Sequence, residues 1–301
     1  MSTFNQFMKN ASIIALLFLI TSCGKTPTPA APDAPTDTFS ETPTAGRVQP
    51  EDELNELSGL ADSQRQPGLL WSHGDAGSPD ILYLLDRKGQ LAGRVKVPFY
   101  NYDWEDIAIG PGPKTDEIYL YVADIGDNGN SRDVKNIYRL PEPGTANEFV
   151  QNVETIKFRF PDGTFDAETV LLDPLTRDIF VVTKWLAKAK IYRLAYPQNT
   201  KDISTAELVG NMTIGGDLTG GAMSVSGREI IVRGYVAISY WQRAANETVG
   251  EVLQRAPTKS LPYLFEPQGE AVCFEKSSKG YFTVSERRNV PFVNLYFYER
   301  K

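Results

Sequence analysis

Glu105-Asp106-Ile107-Ala108-Ile109, an acidic pair running into an apolar stretch, has four counterparts along the chain: Glu56-Leu57-Ser58-Gly59-Leu60, Ala167-Glu168-Thr169-Val170-Leu171, Thr219-Gly220-Gly221-Ala222-Met223 and Gly269-Glu270-Ala271-Val272-Cys273. With Gly59, Ile107, Thr169, Ala222 and Ala271 taken as equivalent, the intervals are 48, 62, 53 and 49 residues. A period of that size holds four short strands and their turns.

The residues between one such run and the next agree with that count. Second strands are expected at Leu69-Leu70-Trp71-Ser72, Ile118-Tyr119-Leu120-Tyr121-Val122, Ile179-Phe180-Val181-Val182-Thr183, Ile230-Ile231-Val232-Arg233 and Tyr281-Phe282-Thr283-Val284-Ser285. Third strands share a central aromatic: Tyr83, Tyr138, Tyr192, Tyr240 and Tyr296. Fourth strands are plain in the early units, at Gly93 to Val97 and Thr155 to Phe160. These Val, Ile, Tyr and Phe runs are punctuated by Gly, Pro, Asp and Asn, the composition of strands and tight turns, and no sustained helical period interrupts them. The chain therefore reads as an all-β single β-propeller of five four-stranded blades. Six blades are the alternative if the long interval from Ile107 to Thr169 hides extra strands, and a β-sandwich is the rival architecture. The fifth unit reaches only its third strand before Lys301. An open edge invites aggregation, so Gly46 to Leu54 is expected to supply the missing outer strand and close the ring.

Ahead of the repeats, Lys9 and the apolar run Ala11 to Ile20 read as a signal peptide over residues 1–22, too short to span a bilayer. Ile20-Thr21-Ser22-Cys23 resembles the lipobox of bacterial lipoproteins, which implies lipidation (diacylglycerol, palmitate) of Cys23. Gly24 follows the cysteine, and in a diderm cell that implies sorting to the outer membrane. Residues 23–47 are rich in Pro, Thr and Ala and read as a tether, leaving residues 48–301 as the propeller domain. The net charge of -7, with no concentrated Lys and Arg, argues against nucleic acid as a partner. Cys273 is the second of two cysteines and, within an apolar run, reads as a buried small hydrophobe. A monomer is expected.

In a propeller the first strands line the central channel, and the second strands exit on the face where the first strands enter. Two sets of residues should meet on that rim: Glu56, Ser58, Asp103, Glu105, Asp106, Asp166, Glu168, Thr219 and Glu270 on entering, and His73, Asp75, Asp124, Asp127, Asn128, Lys184, Arg233, Glu286 and Arg287 on leaving. Carboxylates outnumber cations among them. Grouped carboxylates with an amide oxygen are hard ligands of the kind Ca²⁺ prefers. Glu105, Asp106, Asp124, Asp127, Asn128, Glu168 and Glu270 are thus candidate ligands of a calcium-type cation. The competing reading is that these acids bond loop N–H groups and solvate a rim. His73, the single histidine, is a candidate general base with Asp75 as its orienting partner, and Glu105, Glu168 and Glu270 are further candidates for acid or base work. No Gly-x-Ser-x-Gly elbow, zinc-ligand cluster or phosphate loop is present.

The blocks Leu57-Ser58-Gly59-Leu60, Trp104-Glu105-Asp106-Ile107, Asp166-Ala167-Glu168 and Gln268-Gly269-Glu270-Ala271 resemble the first-strand signatures of the SdiA-regulated family of exported bacterial propellers. The chain is also similar to a group of bacterial secreted β-propeller lipoproteins sharing Asp103-Trp104-Glu105-Asp106-Ile107-Ala108, Asp124-Ile125-Gly126-Asp127-Asn128 and Thr219-Gly220-Gly221-Ala222-Met223-Ser224. More distantly it resembles gluconolactonase-like and phytase-like propellers. In the gluconolactonase-like group a channel-facing glutamate helps hold a divalent cation, and the positions that could carry this across are Glu105, Glu168 and Glu270. The expectation is a membrane-anchored, exported binding or scaffold module that takes a protein, small-molecule or glycan ligand on its rim. A cation-dependent hydrolase of a lactone, phosphoester or glycan is the alternative.

Overall fold

The computed structural model describes residues 37–145, 150–184 and 187–301. The signal-peptide and Cys23 expectations, and the tether up to residue 36, lie outside the described residues. Thr44–Arg47 forms β1. The first blade is Leu57–Asp62 (β2), Leu69–Gly74 (β3), Ile81–Asp86 (β4) and Leu91–Lys96 (β5). The second is Trp104–Pro111 (β6), Ile118–Asp124 (β7), Lys135–Pro141 (β8) and Glu154–Arg159 (β9). The third contains Ala167–Leu172 (β10), Ile179–Thr183 (β11), Lys190–Leu194 (β12), a two-residue strand Ser204–Thr205 (β13) and Glu207–Asn211 (β14). The fourth has Leu218–Met223 (β15), Glu229–Gly234 (β16) and Ile238–Gln242 (β17), then a short helix Val249–Gln254 (α1) and the edge strand Lys259–Ser260 (β18). The fifth is Gln268–Phe274 (β19), Gly280–Glu286 (β20) and Asn294–Glu299 (β21).

Each blade is an antiparallel meander, and the first strands pack side by side around the ring, β2 against β6 and β19, β10 against β6 and β15, and β15 against β19. The protein is a five-bladed β-propeller. The long second interval hides no sixth blade. It is taken up mainly by the longer connections between β7 and β8 and between β8 and β9, and the extra strand on that sheet is β13, which leaves the third blade to pair in parallel with β9. The helix is an element the sequence pattern does not announce: Thr248 and Glu251 form a reciprocal capping box that starts it. Val249, Val252 and Leu253 then bury against the gap between blades three and four.

The ring closes as expected in kind but not in place. β1 pairs with β21 from Thr44 opposite Phe297 to Arg47 opposite Asn294, so the closing strand precedes most of the Gly46 to Leu54 segment and begins ahead of the Val48 boundary. Val48 and Leu54 are buried between blades five and one and pack there, and Val48 also donates its N–H to the Val293 carbonyl at 3.0 Å. Phe39 adds an edge-on contact to Tyr281, with ring centroids 5.1 Å apart.

The core is not a single centre. Five apolar clusters lie between successive blades, because both faces of each inner sheet region are covered by a neighbour. The recurrent third-strand aromatics Tyr83, Tyr138, Tyr192 and Tyr240 are buried in these clusters. Tyr138, Tyr192 and Tyr240 each direct the hydroxyl to a carboxylate, Asp124, Asp162 and Glu229 respectively, so that the polar end is satisfied.

Candidate functional site

One irregularity recurs in the first strand of every blade. The register against the second strand shifts between Leu57 and Gly59, Trp104 and Asp106, Ala167 and Thr169, Leu218 and Gly220, and Gly269 and Ala271. Each shift leaves one residue outside the ladder: Ser58, Glu105, Glu168, Thr219 or Glu270. A bulge re-aims the side chain of its extra residue. These bulges also correct the alignment made from sequence. Asp106 and Gly220, rather than Ile107 and Ala222, are equivalent to Gly59, Thr169 and Ala271.

The two hydroxyl members of the ring join neighbouring blades. Ser58 Oγ donates to the Glu105 carbonyl at 2.6 Å and Thr219 Oγ1 to the Gly269 carbonyl at 2.8 Å. The three glutamates instead line a cavity of about 320 Å³ at the channel mouth, with Asp75, Asn128, Lys184, Tyr235 and Arg288 among its other walls.

A second ring is set by the second strands. The residues opposite the last paired position before each bulge are Gly74, Asp124, Thr183, Gly234 and Ser285. The next residue along is Asp75, Ile125, Lys184, Tyr235 or Glu286. Lys184 Nζ donates to Glu168 Oε1 and, at 3.0 Å, to Tyr235 Oη, whose own proton goes to Glu270 Oε1 at 3.1 Å. Burial opposes the ammonium charge, but Glu168 and Glu270 outweigh it and push the Lys184 pKa up. An internal cation thus fills the gap between two of the three ring glutamates.

The other side of the ring groups carboxylates closely. Oxygens of Asp75, Asp103 and Glu105 lie within 4.8 Å of one another, as do those of Glu105, Asp166 and Glu168. Asp103 and Asp166 each stand two residues before a bulged glutamate, in Asp103-Trp104-Glu105 and Asp166-Ala167-Glu168. Burial pushes the Glu105 carboxyl well above the usual range, and Glu168, Asp75 and Asp103 add to it. Glu168 moves the same way through burial and Glu270, and Asp103 rises to about 6 through burial and Asp75. Glu286 is pushed up to about 9 by burial and by Glu270 and Asp75. Among the described residues, Glu168 Oε2, Glu270 Oε2, Asp75 Oδ1 and Glu286 Oε1 are buried with no hydrogen-bond donor.

Asp124 and Asp127 do a different task from the ligation expected of them. Asp124 Oδ1 accepts from Arg132 Nη2 at 2.8 Å and from the Asp103 N–H at 3.2 Å. The Asp127 carboxylate accepts the Ser131 and Arg132 N–H groups, each at 2.8 Å, and pairs with buried Lys135 at 3.0 Å. Meanwhile the Asp127 N–H donates to Asp166 Oδ1 at 2.7 Å. Between them, Gly126 is required: a Cβ there would stand 1.9 Å from Glu105 Oε1 and 2.6 Å from Asp103 Oδ2. The loop Asp124 to Asn128 is a cradle that positions Asp103, Glu105 and Asp166, with Asn128 alone reaching the cavity.

Asp106 lies among the first strands and lines no wall of the mouth cavity. It is wholly buried and accepts backbone N–H groups of Ile107, Val170 and Gly221 at 2.9, 3.0 and 3.2 Å. His73 is also wholly buried. Its Nδ1 lies 3.1 Å from the Gly74 carbonyl, its ring meets Trp104 edge-on, and burial pushes its pKa down to about 4. It is neutral at physiological pH and lines no wall of the cavity. Arg233, expected on the rim, is buried in an ion pair with Glu266 at 2.5 Å.

Of the seven candidate ligands, the structure brings Glu105, Glu168, Glu270 and Asn128 to the cavity, and gives Asp106, Asp124 and Asp127 other partners. Tyr235 and Arg288 are wall residues that the sequence does not single out. Aligning the residue after each second strand would have placed Tyr235 beside Asp75 and Lys184, but the Tyr235-Val236-Ala237 turn carries no charge to draw attention.

No protein-family profile and no curated protein matches the chain. Solved structures similar to it include the Dos1 propeller, 12% identical over 81% of this chain and 68% of that one, with a TM-score of 0.37. The Cps50 (Swd1) β-propeller domain of Myceliophteria thermophila is 13% identical over 81% of this chain and 70% of that one, with a TM-score of 0.42.

Proposed function

We propose that this protein is an exported, lipid-anchored binding module whose channel mouth holds a calcium-type divalent cation, and that ligands dock on that face. The observation that carries the cation reading is the set of buried carboxylate oxygens without donors, Glu168 Oε2 and Glu270 Oε2 above all, beside two carboxylate triads. Such oxygens are costly to bury unless a cation or proton meets them. Hard oxygens in a flexible arrangement suit Ca²⁺, with ligand distances of about 2.3–2.6 Å. Of the acid and base candidates, His73 is wholly buried and lines no wall of the cavity.

Calcium titrated into metal-free protein at pH 7.5 should bind with release of protons, because burial and neighbouring carboxylates raise Glu105 and Glu168 and push Glu286 up to about 9. At a hundredfold excess over Kd the gain is about 2.7 kcal/mol, or about 6 °C in melting temperature. Glu105→Gln should abolish both effects. Absence of heat and of any melting shift in the wild-type protein would overturn the cation reading.

The export and anchoring reading is supported by Lys9, the run from Ala11 to Ile20 and Cys23 in the Ile20-Thr21-Ser22-Cys23 block. Expressed in a bacterial host, the wild-type chain should sediment with membranes, in the outer-membrane fraction if the host is diderm, and Cys23→Ala should move it to the soluble periplasmic or secreted fraction. Equal fractionation of the two would remove the lipid anchor.

A further inference from the structure

We propose that the mouth holds two divalent cations side by side, bridged by Glu105, one against Asp75 and Asp103 and the other against Asp166 and Glu168. This rests on the cation reading above and extends it to number and arrangement. Glu105 belongs to both triads, and within each triad the oxygens lie within 4.8 Å. Among the described residues, Asp75 and Asp103 share no triad with Asp166 and Glu168, so one ion at either triad leaves the other unserved. Ion pairs bridged by a shared carboxylate stand about 3.5–4 Å apart, which suits two triads that meet at one residue.

Charge points the same way. Among the described residues, seven carboxylates border the mouth, Asp75, Asp103, Glu105, Asp166, Glu168, Glu270 and Glu286, against the cations Lys184 and Arg288, while Arg132 and Lys135, which also act on Asp103 and Asp166, are matched by Asp124 and Asp127. With every carboxyl ionised, as metal ligation requires, five negative charges remain. One divalent ion leaves three of them in a largely buried site; two leave one. Lys184 already occupies the interval between Glu168 and Glu270, so the unfilled intervals are those on either side of Glu105.

The surrounding chain is built for both positions. The Asp103 N–H is held by Asp124, the Asp166 carboxylate by the Asp127 N–H, and Gly126 clears space for Glu105 between them. One loop thus orients one residue of each triad and the shared bridge. Outer-shell hydrogen bonds of this kind fix the direction of a ligand's free lone pairs.

The test is a titration of the metal-free full-length chain with Mn²⁺, read by equilibrium dialysis and electron paramagnetic resonance. Two Mn²⁺ per chain are expected, with the spectrum of an exchange-coupled pair. Asp166→Asn should leave one ion with the signal of an isolated Mn²⁺, as should Asp75→Asn combined with Asp103→Asn, and each should weaken its own ion at least tenfold. One ion per wild-type chain, or two ions without coupling, would overturn the bridged pair while leaving the cation reading intact. No bound Mn²⁺ would overturn both. The wild-type count decides by itself if a variant fails to fold.

Discussion

Replacing Asp106 by alanine should lower the melting temperature of the domain by about 10 °C. The carboxylate lies in the channel and accepts N–H groups from its own strand and from the first strands of the third and fourth blades. Alanine leaves three buried donors without an acceptor. Each costs about 1–3 kcal/mol, and with partial relaxation the total is about 4 kcal/mol. At about 2–4 °C per kcal/mol for a domain of this size, that total gives the stated shift. Asp106→Asn keeps the shape and one acceptor oxygen but turns an NH₂ group toward a donor, so it should fall between wild type and alanine. Asp133→Ala, at an exposed acid, is the control. Should Asp106→Ala melt within about 2 °C of the control, the pin across the channel contributes nothing that matters.

In chelator, the domain should become more stable as the pH is lowered from 9 to about 6.5, and saturating calcium should flatten that slope. Glu286 titrates near 9 and Asp103 near 6 in the folded protein, both raised chiefly by burial, while Glu105 and Glu168 are raised further. Free carboxyls titrate near 4. A group raised by folding binds its proton preferentially in the native state, so its stabilisation is complete below about 4 and is lost as the pH rises through the folded value. Over the two units from pH 8.5 to 6.5 this amounts to about 2 kcal/mol, or about 5 °C. His73 acts in the opposite sense. Burial lowers it to about 4, so it stabilises the native state above about 6.5 and that contribution fades as the pH falls. Asp127, held below its usual range by loop N–H groups and Lys135 against the effect of burial, adds to the loss in acid. Maximum stability is thus expected near pH 6. A melting temperature in chelator that is level or rising from pH 6.5 to 9 would contradict the proton-sharing mouth.

The blades were legible because their signal is long and redundant. The first three strands of all five units repeat the same kinds of apolar run, with an aromatic at the centre of each third strand, and agree on one architecture. The closing strand was harder. Thr44-Ala45-Gly46-Arg47 is short and largely exposed, with no apolar pattern, whereas Val48 and Leu54 carry the apolar signature but are used for packing.

At the site, carboxylate density was readable and carboxylate employment was not. Asp124 and Asp127 look from sequence as ligand-like as Asp103 and Asp166. What separates them is whether an N–H or a cation several residues away reaches the oxygen first: Arg132 for Asp124, Lys135 and two loop N–H groups for Asp127. Asp106 misled for a related reason. It adjoins Glu105, but it re-enters the ladder opposite Ala123 and three backbone N–H groups take its carboxylate.

The five unpaired positions have a consequence for how such a protein can change. Residues in a ladder are constrained by their cross-strand partners, and residues in the clusters between blades are constrained by volume. Ser58, Glu105, Glu168, Thr219 and Glu270 sit outside the ladder and carry no cluster contact. They act as five interchangeable sockets around one opening, where a hydroxyl can tie blades and a carboxylate can face a ligand without altering the frame that presents them. A lineage could rewrite the chemistry of the mouth through these positions, while the propeller beneath stays as it is.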